Sequence, residues 1–170
     1  MNIILLGYMG VGKTSISKLL SKRTNIPCYD LDEIIEAHEN QSVISIFEAK
    51  GELYFRKIEH KLFSNFVATN DNYILSLGGG TPCYSNNHLL IQNKNIESFY
   101  LKSSVLHLAK KLCKKKNKRP LIKKMSDKEL EEFIAKHLFE RSYYYQQAKH
   151  IISVEGKTKN EIAEMIITLL

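Results

Sequence analysis

The sequence predicts an α/β domain in which helices cover both faces of a parallel β-sheet. Short apolar segments alternate with longer amphipathic ones along all 170 residues, the pattern of parallel strands joined by helical crossovers. The first apolar segment leads directly into a glycine-rich loop and a helix-forming stretch. No linker rich in Pro, Gly or Ser and no internal repeat divides the chain. We therefore expect a single domain spanning residues 1–170.

Hydrophobic periodicity and helix breakers give the order of the elements. Strands are expected near residues 2–6, 27–30, 73–77, 96–101 and 150–154. Helices are expected near residues 13–23, 32–39, 43–50, 52–68, 86–92, 103–113, 127–147 and 157–169. Ligands of such sheets bind beyond the carboxyl ends of the strands. The polar residues that follow each strand are therefore the candidate site.

The segment GYMGVGKT at residues 7–14 fits the pattern G-x-x-x-x-G-K-[ST]. Its glycines allow successive backbone N–H groups to surround an anion at a helix N-terminus. Lys13 adds a charge near the β- and γ-phosphates of a nucleotide, and the Thr14 hydroxyl can ligate Mg²⁺. The alternative is a tight strand-to-helix turn without a ligand. We favour a nucleotide site, formed by Gly10, Val11, Gly12, Lys13, Thr14 and Ser15.

Two aspartates follow the second strand in the segment YDLDE, and they are candidates for the chemistry. Asp30 and Asp32 are two residues apart, so an extended chain would direct both carboxylates to the same side. One could face Mg²⁺ and the other an acceptor hydroxyl. Alternatively, Asp32 is the N-cap of the next helix. No acidic residue ends the third strand, so the carboxylate that usually helps to hold magnesium in phosphate-loop enzymes must come from elsewhere. Asp30 is the available candidate.

Two further features border the same edge of the predicted sheet. Gly78, Gly79 and Gly80 follow the third strand, and consecutive glycines favour close approach of a ligand or a second backbone, or else a flexible loop. Arg56 and Glu59 lie one helical turn apart, with Glu59 on the border of the apolar face. The pair is either a buried carboxylate that orients the arginine or a solvated surface ion pair.

The net charge of +7 arises from one segment, KKLCKKKNKRPLIKK at residues 110–124. It holds nine of the 25 basic residues and no acidic ones, so 16 basic residues face 18 acidic ones elsewhere. The segment could bind nucleic acid, but it lacks interleaved aromatic residues. It could also be a solvated loop. We favour a mobile lid at about residues 110–125, with Arg119 delivering a bidentate charge to the transferring phosphate.

Composition limits the cellular setting. No segment approaches the roughly twenty apolar residues of a membrane span, and the first apolar run lacks the basic stretch that precedes it in a signal peptide. The three cysteines share no metal-ligand spacing and are expected to be reduced thiols. We expect a cytoplasmic monomer with no membrane or nucleic-acid partner.

Along nearly its whole length the sequence resembles shikimate kinase. The segments that carry the resemblance, in the family's order and spacing, are GYMGVGKTSISKLLSK, YDLDEIIE, SVISIFEAKGELYFRKIE, ILSLGGGTP, KRPLI and FERSYYYQQA. The resemblance implies a three-layer P-loop fold like that of nucleoside-monophosphate kinases, with strand order 2-3-1-4-5. It also implies transfer of the ATP γ-phosphate to the 3-hydroxyl of shikimate in aromatic amino-acid biosynthesis.

The resemblance also implies residue roles. Lys13, Asp32 and Arg119 would be catalytic, with Asp32 binding the acceptor and orienting or deprotonating its hydroxyl. Thr14 and, through water, Asp30 would hold Mg²⁺. Glu59 would orient Arg56. The residues expected to hold shikimate are Asp32, Arg56, Gly78, Gly79, Gly80 and Arg141.

The lid region differs from the family's usual pattern. Lys111 stands where the family commonly has an arginine that stacks on adenine, and it is assigned with Arg119 to the nucleotide. Lysine has no guanidinium plane, so weaker nucleotide binding is expected.

Overall fold

The structure is a computed structural model, and it describes residues 1–114 and 122–170. The strands are β1 (Asn2–Leu6), β2 (Cys28–Asp30), β3 (Tyr73–Ser76), β4 (Ile96–Lys102) and β5 (His150–Ser153). The helices are α1 (Lys13–Thr24), α2 (Leu31–Glu39), α3 (Val43–Thr69), α4 (Asn87–Leu90), α5 (Val105–Cys113), α6 (Asp127–Tyr145) and α7 (Lys159–Thr168). A 3₁₀ turn at Thr81–Cys83 follows β3. The predicted elements agree with these bounds to within one or two residues at most ends.

The five strands form one parallel sheet in the order β2-β3-β1-β4-β5. The predicted fold class and strand order are therefore confirmed. The central strand β1 pairs Asn2 with Tyr73 of β3 on one side and with Ile96 of β4 on the other. Residues 3–6 of β1 have no exposed surface, as expected for a strand that is covered on both faces.

Two apolar cores lie on the opposite faces of the sheet, because successive strand residues point to opposite sides. On one face Ile3 and Leu5 pack with residues of α1, α5, α6 and α7. On the other face Ile4 and Leu6 pack mainly with residues of α2 and α3. The sheet is thus the middle of three layers, and its carboxyl edge is the place where the loops of both faces meet.

Helix α3 is interrupted at Gly51, where the sequence predicted a break between two helices. Gly51 has φ 78° and ψ 170°, a conformation that residues with a Cβ rarely adopt. Arg56 and Glu59 lie on the part of α3 after this break, so Gly51 sets the direction of the helix that carries both.

No helix of residues 1–114 and 122–170 has the length and apolar character needed to span a membrane.

Candidate active site

A cavity of about 270 Å³ opens at the carboxyl edge of the sheet. Its walls come from the loops that follow β1 and β3 and from the turn between β2 and α2. The residues that line it are Met9, Gly10, Gly12, Lys13, Thr14, Ser15, Asp30, Asp32, Leu77, Gly78 and Gly79. The structure therefore brings the glycine-rich loop, both aspartates and two of the three consecutive glycines to one site.

The loop between β1 and α1 has the geometry of an anion site. Gly12 is the N-cap of α1 and has φ 117°, which favours glycine. The first turn of α1 contains no acidic residue, so the partial positive charge of the helix N-terminus is not neutralised there. Lys13 Nζ donates to the carbonyl oxygens of Gly7 at 2.8 Å and Tyr8 at 3.2 Å, which holds the ammonium group over the loop.

Asp30 links this loop to α2. Thr14 Oγ1 donates to Asp30 Oδ2 at 3.0 Å, and Asp30 Oδ1 accepts from the backbone N–H of Asp32 at 3.1 Å. Asp30, not Asp32, is thus the N-cap of α2, so the capping alternative considered for Asp32 is wrong. Because the helix begins at Leu31, Asp32 reaches the cavity from the first helical turn instead of from an extended strand.

The oxygens of Thr14 and Asp30 suit a hard cation such as Mg²⁺. Within the described parts of the chain, no group of three or more His, Cys, Asp or Glu side chains could form a metal cage. Mg²⁺ bound with nucleotides usually takes only one or two protein ligands and completes its shell with phosphates and water. The donor set at Thr14 and Asp30 fits that mode of binding.

Asp32 has an environment that changes its acidity. Burial, the neighbouring Asp30 carboxylate and the Glu59 carboxylate together raise the pKa of Asp32 from 3.8 to about 6. A Cβ built on Gly78 would lie 3.1 Å from Asp32 Oδ1, so the carboxylate lies close against the glycine backbone. A carboxylate with a pKa in this range can accept a proton near neutral pH.

Arg56 and Glu59 form a buried ion pair, and the surface alternative considered from the sequence is wrong. Arg56 Nη1 lies 2.7 Å from Glu59 Oε2, with the two side chains 13% and 1% exposed. Arg56 Cζ lies 4.1 Å from the ring centroid of Tyr84, and Glu52 accepts from Arg56 Nε at 3.4 Å. The guanidinium is thus held by two carboxylates and lies closest to the Tyr84 ring, with the rings of Phe55 at 5.1 Å and Phe47 at 5.9 Å also beside it.

The glycines beside this pair provide space. A Cβ on Gly80 would lie 2.6 Å from Arg56 Nη2 and 3.0 Å from Arg56 Cζ. Gly80 has an ordinary φ of −95°, so it is the close approach of the guanidinium that excludes a side chain here. A Cβ on Gly79 would lie 3.6 Å from Arg141 Nη1. Two arginines from different helices therefore border adjacent glycines.

Arg141 lies on α6 in an aromatic neighbourhood. Its Cζ is 5.6 Å from the ring centroid of Tyr8 in the glycine-rich loop. One turn further along α6, Tyr145 is fully buried and its hydroxyl donates to the carbonyl oxygen of Gly79. Helix α6 thus contacts both the nucleotide loop and the glycine segment.

Some predicted residues lie outside the cavity wall. Val11 is buried. Arg56, Gly80 and Arg141 do not line the cavity, although the two arginines lie beside Gly80 and Gly79. Lys111 is exposed on α5, next to Leu112, whose side chain would lie 2.8 Å from a Cβ on Gly10. The nucleotide loop and the helix that carries Lys111 are therefore neighbours. Arg119 is outside the described residues.

Sequence reasoning missed several residues that support the site. Thr81, which directly follows the three consecutive glycines, donates to Glu59, and no local pattern indicates this bond. Nothing in the sequence indicates that the Tyr84 ring covers Arg56, or that Tyr8 bonds to His137 at 2.9 Å. These contacts join residues that are 22 to 129 positions apart, beyond the reach of local periodicity.

Known proteins share this architecture. The family model described as "Shikimate kinase" matches residues 9–170. A shikimate kinase from Flavobacterium johnsoniae is 51% identical over 168 residues, covering 99% of this chain and 98% of the relative. The solved structure of shikimate kinase from Bacteroides thetaiotaomicron has a TM-score of 0.90 at 31% identity, covering 99% and 96% of the two chains. A shikimate kinase from Acinetobacter baumannii in complex with shikimate has a TM-score of 0.87 at 26% identity, covering 99% and 91%.

The fold and the glycine-rich loop define a P-loop kinase, that is, an ATP-dependent phosphotransferase. Within that class the chain belongs to the shikimate kinase family. The family membership and the class of reaction predicted from the sequence, ATP-dependent phosphorylation of an alcohol, are therefore confirmed.

Proposed function

We propose that the described cavity is the place where this chain transfers the γ-phosphate of ATP to the 3-hydroxyl of shikimate, and that the residues named from the sequence carry the reaction. The observation that carries this proposal is the convergence at one sheet edge of the nucleotide loop, Asp32 and two glycine-bordering arginines. Phosphoryl transfer depends mainly on positioning and charge neutralisation, and this arrangement can supply both.

The nucleotide half of the reaction is assigned to residues 10–15. Backbone N–H groups at the start of α1 and the Lys13 ammonium would hold the phosphates. Thr14 and Asp30 would hold Mg²⁺, Asp30 through water. When bound, Mg²⁺ neutralises phosphate charge and fixes the orientation of the nucleotide. The hydrogen bond between Thr14 and Asp30 supports their pairing for this task.

The acceptor half of the reaction is assigned to Asp32, the glycine segment and the two arginines beside that segment. Arg56 and Arg141 would bind the planar carboxylate of shikimate, because guanidinium groups offer paired donors that match a carboxylate. The backbone of Gly78, Gly79 and Gly80 would approach the ring hydroxyls, since no side chain intervenes there. Asp32 would accept the proton of the 3-hydroxyl as that oxygen attacks the phosphorus, and its raised pKa supports this role.

The lid and the cellular setting belong to the same proposal. Residues 1–170 would act as one monomeric kinase domain in the cytoplasm, with a lid near residues 110–125 that excludes water. The proposed lid is supported by the nine basic residues between Lys110 and Lys124, whose positive charge suits the binding of phosphate. Arg119 would reach the transferring group, and Lys111 would contact the adenine. Residues 115–121 lie outside the described structure, so the role of Arg119 stays a prediction.

The test is a coupled assay of ADP release with shikimate, gluconate or CMP as acceptor, each with Mg²⁺ and with excess EDTA. We expect turnover with shikimate and Mg²⁺ only, at rates in the range of about 1–100 s⁻¹ that is typical of kinases. Lys13→Ala is the negative control, because it removes the ammonium charge that would hold the phosphates. Turnover of gluconate or CMP without turnover of shikimate would contradict the proposal.

A further inference from the structure

We infer that Thr81 is a positioning residue for the acceptor arginine Arg56, acting through the buried carboxylate of Glu59. This inference rests on the proposed role of Arg56 in binding shikimate. The feature that motivates it is a chain of hydrogen bonds that begins in the loop after β3 and ends at the guanidinium. Its central link is Thr81 Oγ1, which donates to Glu59 Oε1 at 2.6 Å.

Glu59 needs both of its partners. Its side chain is 1% exposed, and its two oxygens have different donors, since Oε1 accepts from Thr81 and Oε2 from Arg56 Nη1 at 2.7 Å. The terminal torsion of a glutamate is broad, so a single donor would leave the carboxylate free to turn. Two donors on opposite oxygens fix its plane. The hydroxyl of Thr81 thus determines the direction in which Glu59 holds Arg56.

Thr81 is itself held in place by bonds of its own backbone. It has no exposed surface, its backbone N–H donates to the Gly78 carbonyl at 3.2 Å, and its own carbonyl oxygen accepts from Asn87 Nδ2 at 2.8 Å. A β-branched side chain is also stiff at χ1. The hydroxyl is therefore pre-organised by the loop instead of being recruited by Glu59.

The segment that contains Thr81 is attached to α3 at a second point, through the first residue of α4. Asn87 is fully buried, and its Oδ1 lies 2.7 Å from His60 Nδ1. Because an amide oxygen only accepts, His60 carries its proton on Nδ1. Glu59 and His60 are consecutive residues of α3, so the segment between β3 and β4 bonds to the same turn of the helix twice, through Thr81 of the 3₁₀ turn and through Asn87 at the start of α4.

The arrangement explains why threonine suits this position. Gly78 lies beside the same atoms, since a Cβ built on it would be 3.0 Å from Thr81 Oγ1 and 3.4 Å from Glu59 Oε1. The hydroxyl fills a narrow space between the glycine segment and the carboxylate. An apolar side chain of the same shape would occupy that space but would leave a buried carboxylate oxygen without its donor, which is costly.

The experiment compares Thr81→Val, which removes the hydroxyl, with Thr81→Ser, which keeps it. The Michaelis constants for shikimate and ATP are measured separately for each variant. We expect Thr81→Val to raise the KM for shikimate about tenfold, because Glu59 would lose one of its two donors and Arg56 its fixed orientation. The KM for ATP should change by less than about twofold, and Thr81→Ser should retain nearly the parent KM for shikimate.

Arg56→Ala separates this inference from the proposed function. If Thr81 acts through Arg56, then Thr81→Val raises the shikimate KM in the parent background but adds nothing in the Arg56→Ala background. An equal rise in both backgrounds, no rise in either, or matching rises for shikimate and ATP would overturn the inference. Failure of Arg56→Ala itself to change the shikimate KM would instead overturn the proposed role of Arg56.

If Thr81→Val does not fold, then Thr81→Cys serves the same comparison. Its thiol is a weak donor in a side chain of similar size. The expected order of shikimate KM is then Thr81→Cys above Thr81→Ser and the parent. Equal values for the cysteine and serine variants would count against a role for the hydroxyl.

Discussion

At the scale of the single residue, the environment of Asp32 favours proton transfer but destabilises the ionised carboxylate. Burial and the carboxylates of Asp30 and Glu59 raise its pKa to about 6, which suits proton transfer. The same environment makes the ionised form unfavourable in the folded protein. An acid whose pKa is raised by folding contributes stability below its unfolded pKa, and that contribution is lost as the pH rises through the folded pKa. The contribution of Asp32 to the free energy of unfolding is therefore lost as the pH rises from about 4 through about 6.

Asp32→Asn should accordingly separate stability from activity. We expect the variant to gain up to about 3 kcal/mol in the free energy of unfolding at pH 8, because asparagine does not ionise, and to gain nothing at pH 4. Its kcat should fall by about 10²–10⁴-fold if Asp32 is the base, while ATP binding is nearly unchanged. Urea unfolding at both pH values and steady-state kinetics check this.

The matched control is Asp71→Asn, at an exposed aspartate just before β3. It should show neither the gain in stability nor the loss of activity. A loss of stability at pH 8 in Asp32→Asn would show that the ionised Asp32 carboxylate is favourable in the folded protein. Full activity of this variant would show that Asp32 is not part of the chemistry.

At the scale of the element, α6 is the helix that joins the two halves of the site. It carries Arg141, whose guanidinium lies over the Tyr8 ring of the nucleotide loop, and His137, which bonds to the Tyr8 hydroxyl at 2.9 Å. It also carries Tyr145, whose hydroxyl bonds to the Gly79 carbonyl. Burial raises the pKa of Tyr145, so its hydroxyl keeps the proton that it donates.

Tyr145→Phe should loosen the glycine segment without altering the core. Removing a neutral buried hydrogen bond should lower the free energy of unfolding by about 1 kcal/mol and raise the KM for shikimate about three- to tenfold. The KM for ATP should remain near the parent value. Thermal unfolding and steady-state kinetics measure these effects.

Tyr144→Phe is the control on the same helix, since it removes a hydroxyl one residue away where the ring packs against His88. We expect it to behave like the parent. If both variants had the same effect on the shikimate KM, the bond to Gly79 would not be the cause.

At the scale of the whole molecule, the proposed acceptor site is assembled from segments that are far apart in the chain. The proposed ligands of shikimate lie on α2, α3, α6 and the loop after β3, on both faces of the sheet. A ligand that contacts all of them stabilises the folded state as a unit, because these segments come together only in that state.

Shikimate should therefore raise the melting temperature, and Arg141→Ala should abolish that effect. At a concentration about 100 times Kd a ligand adds about 2.7 kcal/mol to stability, or roughly 5–10 °C for a domain of this size. In Arg141→Ala we expect the shift with shikimate to disappear and the shift with ATP to remain. Differential scanning calorimetry with each ligand separately measures both shifts.

Arg23→Ala is a suitable control, because Arg23 pairs with Glu164 of α7 at 2.8 Å and is not among the residues of the site. Both ligand shifts should persist in it. Equal loss of the two shifts in Arg141→Ala would contradict the assignment of this arginine to the acceptor.

Much of this molecule can be predicted from local patterns. The alternation of elements, the break at Gly51 and the glycine-rich loop each depend on residues close together in the chain, and the structure agrees with all three. The strand order followed from the resemblance and not from periodicity. Asp30 was recognised as a candidate, but its capping bond to Asp32 depends on where α2 begins, and helix ends are the least certain part of a prediction.

The sequence by itself determined the order of strands and helices, the position of the phosphate loop and the chemical types of the site residues. Those properties depend on spacing within a few turns of chain. Only the tertiary structure decided that the Arg56–Glu59 pair is buried, that Thr81 donates to it and that Tyr145 bonds to Gly79. Burial and contacts across the sheet depend on which distant segments pack together, and that packing decides whether an ion pair is a solvated surface feature or a fixed part of a site.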